Sequence, residues 1–100
     1  MPERENKPGI PDVFRELEAS GWTIEFEQEE AGTIHPPHCH ETTHLFTLRG
    51  GMRIRVDEGK WVEQGPGDLF VVEDGQLHEA VVGIDGWEYF AAVKPDVSTE

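Results

Sequence analysis

Residues 32–51 read Gly-Thr-Ile-His-Pro-Pro-His-Cys-His-Glu-Thr-Thr-His-Leu-Phe-Thr-Leu-Arg-Gly-Gly, and this stretch decides the fold of the chain. It contains four of the five histidines, namely His35, His38, His40 and His44. The last three are separated by even numbers of residues, and alternate side chains of an extended strand share a face. The stretch therefore predicts a strand that points three imidazoles in one direction.

The fifth histidine, His78, lies far along the chain and follows a second group of turn residues. Four imidazoles buried in a small domain without a partner would leave several nitrogen atoms unsatisfied, at about 1–3 kcal/mol each. A metal ion removes this cost, because imidazole nitrogen is a good ligand for Zn, Cu, Fe and Ni. We therefore predict that the fold brings His78 to His38, His40 and His44, and that the four residues bind one metal ion.

Length and composition limit the possibilities. A chain of 100 residues has room for one domain with one core. Its formal net charge of −13 argues against binding to nucleic acid or to an anionic membrane, since both need a basic protein surface. The single cysteine cannot form an intramolecular disulfide, and the N-terminal sequence lacks the apolar segment of a signal peptide. These features favour a cytoplasmic location.

The N-terminal part of the chain, residues 1–21, is predicted to be an irregular arm followed by a short helix. Pro2, Pro8 and Pro11 disfavour regular structure at the start of the arm. Asp12 is suited to cap a helix, and Gly21 is suited to end it in a left-handed turn. A polar tail, residues 95–100, closes the chain.

Residues 22–94 are predicted to form a β-barrel. Apolar and polar residues alternate in short segments, which Gly, Pro and Asp turns separate at intervals of about ten residues. The pattern gives about eight short strands, with turns at Glu58-Gly59 and Asp85-Gly86 among the separators. At Gly50-Gly51 we expect a bulge or bend, because a two-residue hairpin there would place Leu48 opposite Arg53 on one face. This all-β pattern is typical of a sandwich or a barrel.

The histidine-rich stretch resembles the first motif of the cupin superfamily. That motif is Gly, five residues, His-x-His, three or four residues, Glu, six residues and Gly. Gly32, His38, His40 and Gly51 fit these spacings, and His44 stands where the motif has Glu.

The region around His78 is similar to the second cupin motif, which is Gly, five residues, Pro-x-Gly, two residues, His, three residues and Asn. Gly67, Gly75 and His78 fit, whereas Glu73 replaces Pro and Val82 replaces Asn. The match of two separated motifs in order makes the resemblance specific, and it covers residues 22–93.

The resemblance implies a double-stranded β-helix, or jelly-roll barrel, with a metal ion inside it. It implies a four-histidine ligand set of His38, His40, His44 and His78, as in a class of small single-domain bacterial cupins. The ion could be Fe, Mn, Ni, Zn or Cu. Four neutral ligands would leave two positions of an octahedral ion open for chemistry, whereas a closed tetrahedral site would be structural.

Residues near these ligands have alternative roles. Cys39 and Glu41 have the wrong alternation for the ligand face, and Glu41 could reach the ion only if the strand bulges. His35 is expected at the barrel mouth, either as a surface residue or in proton transfer. Apolar residues that could line a pocket or belong to the core are Phe46, Met52, Ile54, Phe70 and Tyr89. The glutamates of residues 25–30 are expected to be a solvated face.

Two classes of function fit these predictions. The first is a metal-dependent enzyme acting on a small organic molecule, with a dioxygenase-like oxidoreductase preferred because the predicted ligand set contains no carboxylate base. An isomerase or lyase remains an alternative. The second class is a non-catalytic module that binds or senses a small molecule. Because small cupins commonly pair through their sheets or N-terminal segments, the resemblance also implies a homodimer.

Overall fold

The computed structural model describes residues 11–94, which form one helix and six strands. These elements are α1 (Asp12–Ala19), β1 (Thr23–Glu29), β2 (Ile34–His38), β3 (Thr43–Val56), β4 (Val62–Gln64), β5 (Leu69–Val72) and β6 (His78–Val93). Most of the predicted N-terminal arm, residues 1–10, and the predicted polar tail, residues 95–100, lie outside the described residues.

Two long strands, β3 and β6, form the centre of the sheet. They run antiparallel from the pair Thr43 and Val93 to the pair Val56 and His78. The other strands pair antiparallel with these two, β1 and β2 with β6, and β4 and β5 with β3. The prediction of an all-β fold with a short N-terminal helix is confirmed.

The number of strands differs from the prediction, because β3 and β6 each join two segments that were expected to be separate. The register between them shifts on both sides of Gly50, where the predicted bend occurs. Gly50 has φ +65°, and a Cβ on it would lie 2.0 Å from the carbonyl oxygen of Gly86. The predicted turn at Asp85-Gly86 is wrong. Gly86 adopts φ +76° within β6, which lets the strand bend without leaving the sheet.

The hairpin between β3 and β4 turns one residue earlier than predicted. Asp57 and Glu58 both have positive φ values, 51° and 62°, and the Gly59 N–H donates to the Val56 carbonyl oxygen over 2.8 Å. Two consecutive residues with positive φ are typical of the type I′ turn, whose twist matches that of paired strands.

Helix α1 ends as predicted but begins differently. Pro11, not Asp12, occupies the N-cap position, and no side chain caps the helix. At the other end Gly21 has φ 96°, and the Trp22 N–H donates to the Leu17 carbonyl oxygen over 3.0 Å, which makes a Schellman-type end. No helix among residues 11–94 has the length and apolar character needed to span a bilayer.

The sheet separates two apolar clusters. We call the first the inner cluster, and its buried members are Met52, Ile54, Val72, Ala80, Val82, Trp87, Tyr89 and Ala91. We call the second the outer cluster; it is built on Phe14, Phe90 and Ala92, with Leu17, Trp22, Ile24, Phe46 and Leu48 packed against them. Phe14 of α1 is fully buried. Residues 89–92 of β6 alternate between the two clusters.

Candidate metal site

Three histidines meet where β2 pairs with β6. The register places His38 directly opposite His78, and their ring centroids are 4.2 Å apart. His40 follows two residues after His38, and its ring centroid lies 5.2 Å from that of His38 and 4.6 Å from that of His78. The potential ligand atoms of the three residues all lie within 4.8 Å of one another. We call this group the histidine cluster.

Each ring of the histidine cluster is held by the backbone through the same nitrogen. The Nδ1 atoms of His38, His40 and His78 contact the carbonyl oxygens of residues 36, 41 and 76 at 2.7, 2.8 and 3.0 Å. A carbonyl oxygen only accepts hydrogen bonds, so each Nδ1 must carry the hydrogen and each Nε2 keeps a free lone pair. This arrangement is the one in which imidazoles bind metal ions, because the bond at the second nitrogen fixes both tautomer and ring orientation.

Burial also keeps one of the three rings neutral. His78 is 5% exposed, and this burial is the main reason that its pKa lies below the usual value. A neutral imidazole is the form that binds a metal ion. The donor set therefore fits a divalent transition metal held by three nitrogen atoms, and such a three-ligand set leaves coordination positions open.

The fourth predicted ligand, His44, lies outside the histidine cluster, so the four-histidine site is not confirmed. The His44 ring packs edge-on against Trp22 with a centroid distance of 5.1 Å. Its buried Nδ1 has no hydrogen-bond partner within the described residues, and burial lowers its pKa. The reason is that residues 39–42 are not in a strand, so the alternation does not continue from His40 into β3.

The histidine cluster opens into a cavity of about 580 Å³. The lining consists of Glu25, Glu27, His35, His38, His40, Glu41, Thr43, Leu45, Ile54, His78, Ala80, Trp87, Tyr89, Ala91 and Val93. Trp87 and Tyr89 stack within this wall, with ring centroids 3.6 Å apart and planes 14° apart. The Trp87 Nε1–H donates to the Thr47 hydroxyl over 2.9 Å, which fixes the aromatic pair.

Several predicted roles can now be assigned. Ile54 and Tyr89 line the cavity, whereas Met52 belongs to the inner cluster and Phe70 packs against it. Phe46 packs in the outer cluster. Cys39 is exposed, and the group of potential metal ligands found among residues 11–94 does not contain it.

The glutamates of β1 form the predicted solvated face only in part, because Glu25 is exposed whereas Glu27 and Glu29 are partly buried. Glu25 and Glu27 line the cavity, and the Glu29 side chain is only 16% exposed. The physical reason is that α1 covers the opposite face of β1, where Ile24 packs in the outer cluster. The alternation predicts which residues of β1 share a face, but nothing in it indicates that the polar face lines a cavity. Glu41 lines the same cavity, because the chain bends there.

Glu29 lies behind the cavity wall and connects two residues that line it, His35 and Tyr89. Its Oε1 lies 2.5 Å from His35 Nε2, and its Oε2 accepts the Tyr89 hydroxyl over 2.6 Å. Burial first, and Glu29 second, raises the pKa of Tyr89 above its usual range, so the phenol keeps its proton. His35 was expected at the barrel mouth, and the structure places it half-buried on the wall. We call Glu29, His35 and Tyr89 the polar triad.

Comparisons with known proteins agree with this architecture. The family described as "AraC-like ligand binding domain" matches residues 24–92. No curated protein matches the chain. Among solved structures, KdgF from Halomonas sp. aligns with a TM-score of 0.62 and 19% identity over 79% of this chain and 91% of its own.

Two further solved structures resemble this chain to a similar degree. An RmlC-like cupin from Shewanella frigidimarina NCIMB 400 has a TM-score of 0.66 and 20% identity over 77% of this chain and 68% of its own. The DMSP lyase DddQ from Ruegeria pomeroyi DSS-3 has a TM-score of 0.62 and 20% identity over 77% of this chain, but only 39% of its own. At these identities the likeness shows the fold, which is the predicted double-stranded β-helix.

Proposed function

The chain belongs to the family of AraC-like ligand binding domains, within the cupin superfamily, and from that premise we propose that it binds a small organic molecule beside a divalent metal ion. His38, His40 and His78 would hold the ion. The observation that carries this proposal is the shared hydrogen bonding of their Nδ1 atoms, which leaves Nε2 available in three residues whose potential ligand atoms lie within 4.8 Å of one another.

We further propose that the protein is an enzyme of the dioxygenase-like oxidoreductase class. When bound, the ion supplies Lewis-acid or redox chemistry at the coordination positions that three protein ligands leave open. The chain itself supplies a wall of Leu45, Ile54, Ala91 and the stacked aromatic pair, which excludes water from one side of a bound molecule. The exposed position of His40 leaves the site reachable from solvent.

Metal analysis tests the first part of the proposal. Protein purified without chelator is expected to contain about one equivalent of a transition metal, and less than about one ion per ten chains would contradict it. Protein stripped and reloaded with Fe(II), Mn(II), Ni(II), Cu(II) or Zn(II) is then incubated with catechols and small diketones. Oxygen uptake that needs both the ion and His78 is the result expected of a dioxygenase-like enzyme.

A second function, a non-catalytic binding or sensing module, is favoured by the printed description of the family as a ligand binding domain. The same cavity would then bind its ligand without changing it. The two functions differ in one measurement, recovery of the compound after incubation. A compound that raises the melting temperature of the loaded protein and is recovered unchanged under oxygen would support the sensing module.

A further inference from the structure

The polar triad shares no residue with the histidine cluster, and two of its members, His35 and Tyr89, line the same cavity. Glu29 lies at the end of β1, where the register places it opposite Trp87 of β6. From there its two oxygen atoms reach in different directions, Oε1 to His35 on β2 and Oε2 to Tyr89 on β6. Three strands therefore hold this one carboxylate, and the arrangement does not depend on a loop.

The hydrogen positions in the polar triad follow from the acceptor character of a carboxylate. Glu29 accepts from the Tyr89 hydroxyl, and it also accepts from His35, so the His35 hydrogen must lie on Nε2. In the neutral ring the His35 Nδ1 then carries a lone pair, and no hydrogen bond to this atom is found within residues 11–94. A histidine held by a carboxylate in this way is arranged as a proton acceptor, since the carboxylate fixes the tautomer and stabilises the imidazolium.

Other charged groups near the ring do not replace this function. Glu29 contacts the ring, and the titratable residues that line the cavity together with His35 are Glu25, Glu27, His38, His40, Glu41, His78 and Tyr89. The three histidines among them use Nδ1 for backbone carbonyls, and no lysine or arginine of the described chain lines the cavity. His35 is thus the histidine of the lining whose Nδ1 is left to a ligand.

We propose that His35 accepts a proton from a small carbonyl compound bound beside the histidine cluster, and that Glu29 and Tyr89 are its positioning residues. This inference rests on the proposed binding of a small organic molecule beside a metal ion, and it takes the reaction to be a proton transfer instead of an oxidation. It specifies the substrate class, a compound with a C–H bond next to a carbonyl group. The C–H bond breaks, its proton moves to His35 Nδ1, and its electron pair moves toward the carbonyl oxygen to give an enolate. Return of a proton from His35 Nδ1 to the same carbon, with the electron pair, restores the carbonyl compound and completes an exchange or epimerisation, and no oxidant is needed.

The first experiment measures this proton transfer with hydroxyacetone, a small neutral carbonyl compound, as the probe. Zinc-loaded wild-type protein in D₂O is expected to accelerate exchange of the methylene protons, followed by ¹H NMR, above the rate with zinc alone. His35→Gln should reduce the acceleration by about 10²-fold, the usual contribution of a general base. An unchanged rate in His35→Gln, or no acceleration by wild type that has bound zinc, overturns the proposal.

A matched pair of variants separates the positioning role of Glu29 from simple loss of charge. Glu29→Gln and Glu27→Gln each remove one negative charge from the same face of β1. We expect Glu29→Gln to lower the exchange rate more than Glu27→Gln, since only Glu29 contacts His35. Equal effects would mean that the charge of the cavity, and not the His35 contact, controls the rate.

A second measurement does not depend on a metal. ¹⁵N NMR of the metal-free protein is expected to show the His35 hydrogen on Nε2 in wild type and a changed tautomer population in Glu29→Gln. A His35 hydrogen on Nδ1 in wild type overturns the inference whatever the metal content. If the wild-type protein binds no zinc, the proposed function fails. Proton exchange by the metal-free protein that is lost in His35→Gln would then still support His35 as the proton acceptor. Absence of exchange in the metal-free protein would overturn this role of His35.

Discussion

The histidine cluster and His44 show how differently the same side chain can be used a few residues apart. In the cluster every Nδ1 is bonded to a carbonyl oxygen, so the Nε2 lone pairs are free and oriented. His44 has the opposite condition, a buried Nδ1 without a partner in the described chain and a ring packed against Trp22. The difference indicates that the backbone bond to Nδ1, more than the number of nearby histidines, distinguishes a ring that is available to a metal ion from a packed ring.

The largest expected effect is a loss of metal on substitution of His78, which substitution of His44 should not cause. His78→Ala removes a buried nitrogen from the centre of the histidine cluster and should lower the metal content from about one ion per chain to less than about a tenth. His44→Ala should leave the content unchanged, because its ring is on the other side of the sheet. Both contents are measured by elemental analysis after reloading.

Circular dichroism of both variants controls for unfolding. A loss of metal in folded His44→Ala that matches the loss in His78→Ala would restore the four-histidine site and contradict the arrangement described above. Retention of metal by folded His78→Ala would remove the histidine cluster as the binding site.

The same comparison shows what the sequence could and could not predict. The pairing of His38 with His78 was predictable, because two motifs with fixed spacings bracket them. The position of His44 was not, since alternation holds only within a strand and residues 39–42 leave the strand. A local pattern contains no information about such a break unless a Gly or Pro marks it.

The role of Glu29 was missed for a related reason. Alternation in β1 correctly separates Ile24 from the glutamates, but it cannot tell which face meets the cavity. That choice depends on α1, whose Phe14 packs on the apolar face through contacts distant in sequence. The sequence pattern therefore predicts the elements that form the site, whereas tertiary packing decides which face of each element meets the cavity.

The second-largest effect tests whether the outer cluster is only structural. Phe14 is fully buried and packs against Phe46 and Phe90, each at a centroid distance of 6.2 Å. Phe14→Ala should lower the free energy of unfolding by about 3–5 kcal/mol, as large-to-small core changes do. Urea unfolding measures the loss, and Val13→Ala, from a more exposed position of the same helix, is the matched control and should cost far less.

A folded Phe14→Ala protein should still bind its metal, because no member of the outer cluster belongs to the histidine cluster. Loss of metal at a temperature where the variant remains folded would show that the two regions are coupled through the sheet.

A smaller effect on stability is expected from the hydrogen bond that holds Trp87 in the cavity wall. Thr47 is 1% exposed, and its hydroxyl oxygen accepts a hydrogen bond from the Trp87 Nε1–H. Thr47→Val keeps the shape but leaves the indole N–H without this acceptor, which should cost about 1–3 kcal/mol. Thr47→Ser keeps the hydroxyl and should cost less. Equal urea midpoints for Thr47→Val and wild type would show that the bond does not stabilise the aromatic pair.

The smallest effect concerns pH and separates the two kinds of histidine in metal-free protein. Burial lowers the pKa of His44 and of His78 in the folded state below the value of 6.5. Below about pH 6.5 the unfolded chain therefore binds protons that the folded chain does not, so the free energy of unfolding falls as the pH decreases. Near pH 7.5 this contribution vanishes.

His44→Leu removes the contribution of His44, whose ring packs against Trp22 of the outer cluster, and leaves the contribution of His78. Urea unfolding at pH 7.5, 6.5 and 5.5 should then show a shallower decline for His44→Leu than for wild type. Identical declines would mean that the partly buried His44 ring takes up a proton as readily when folded as when unfolded.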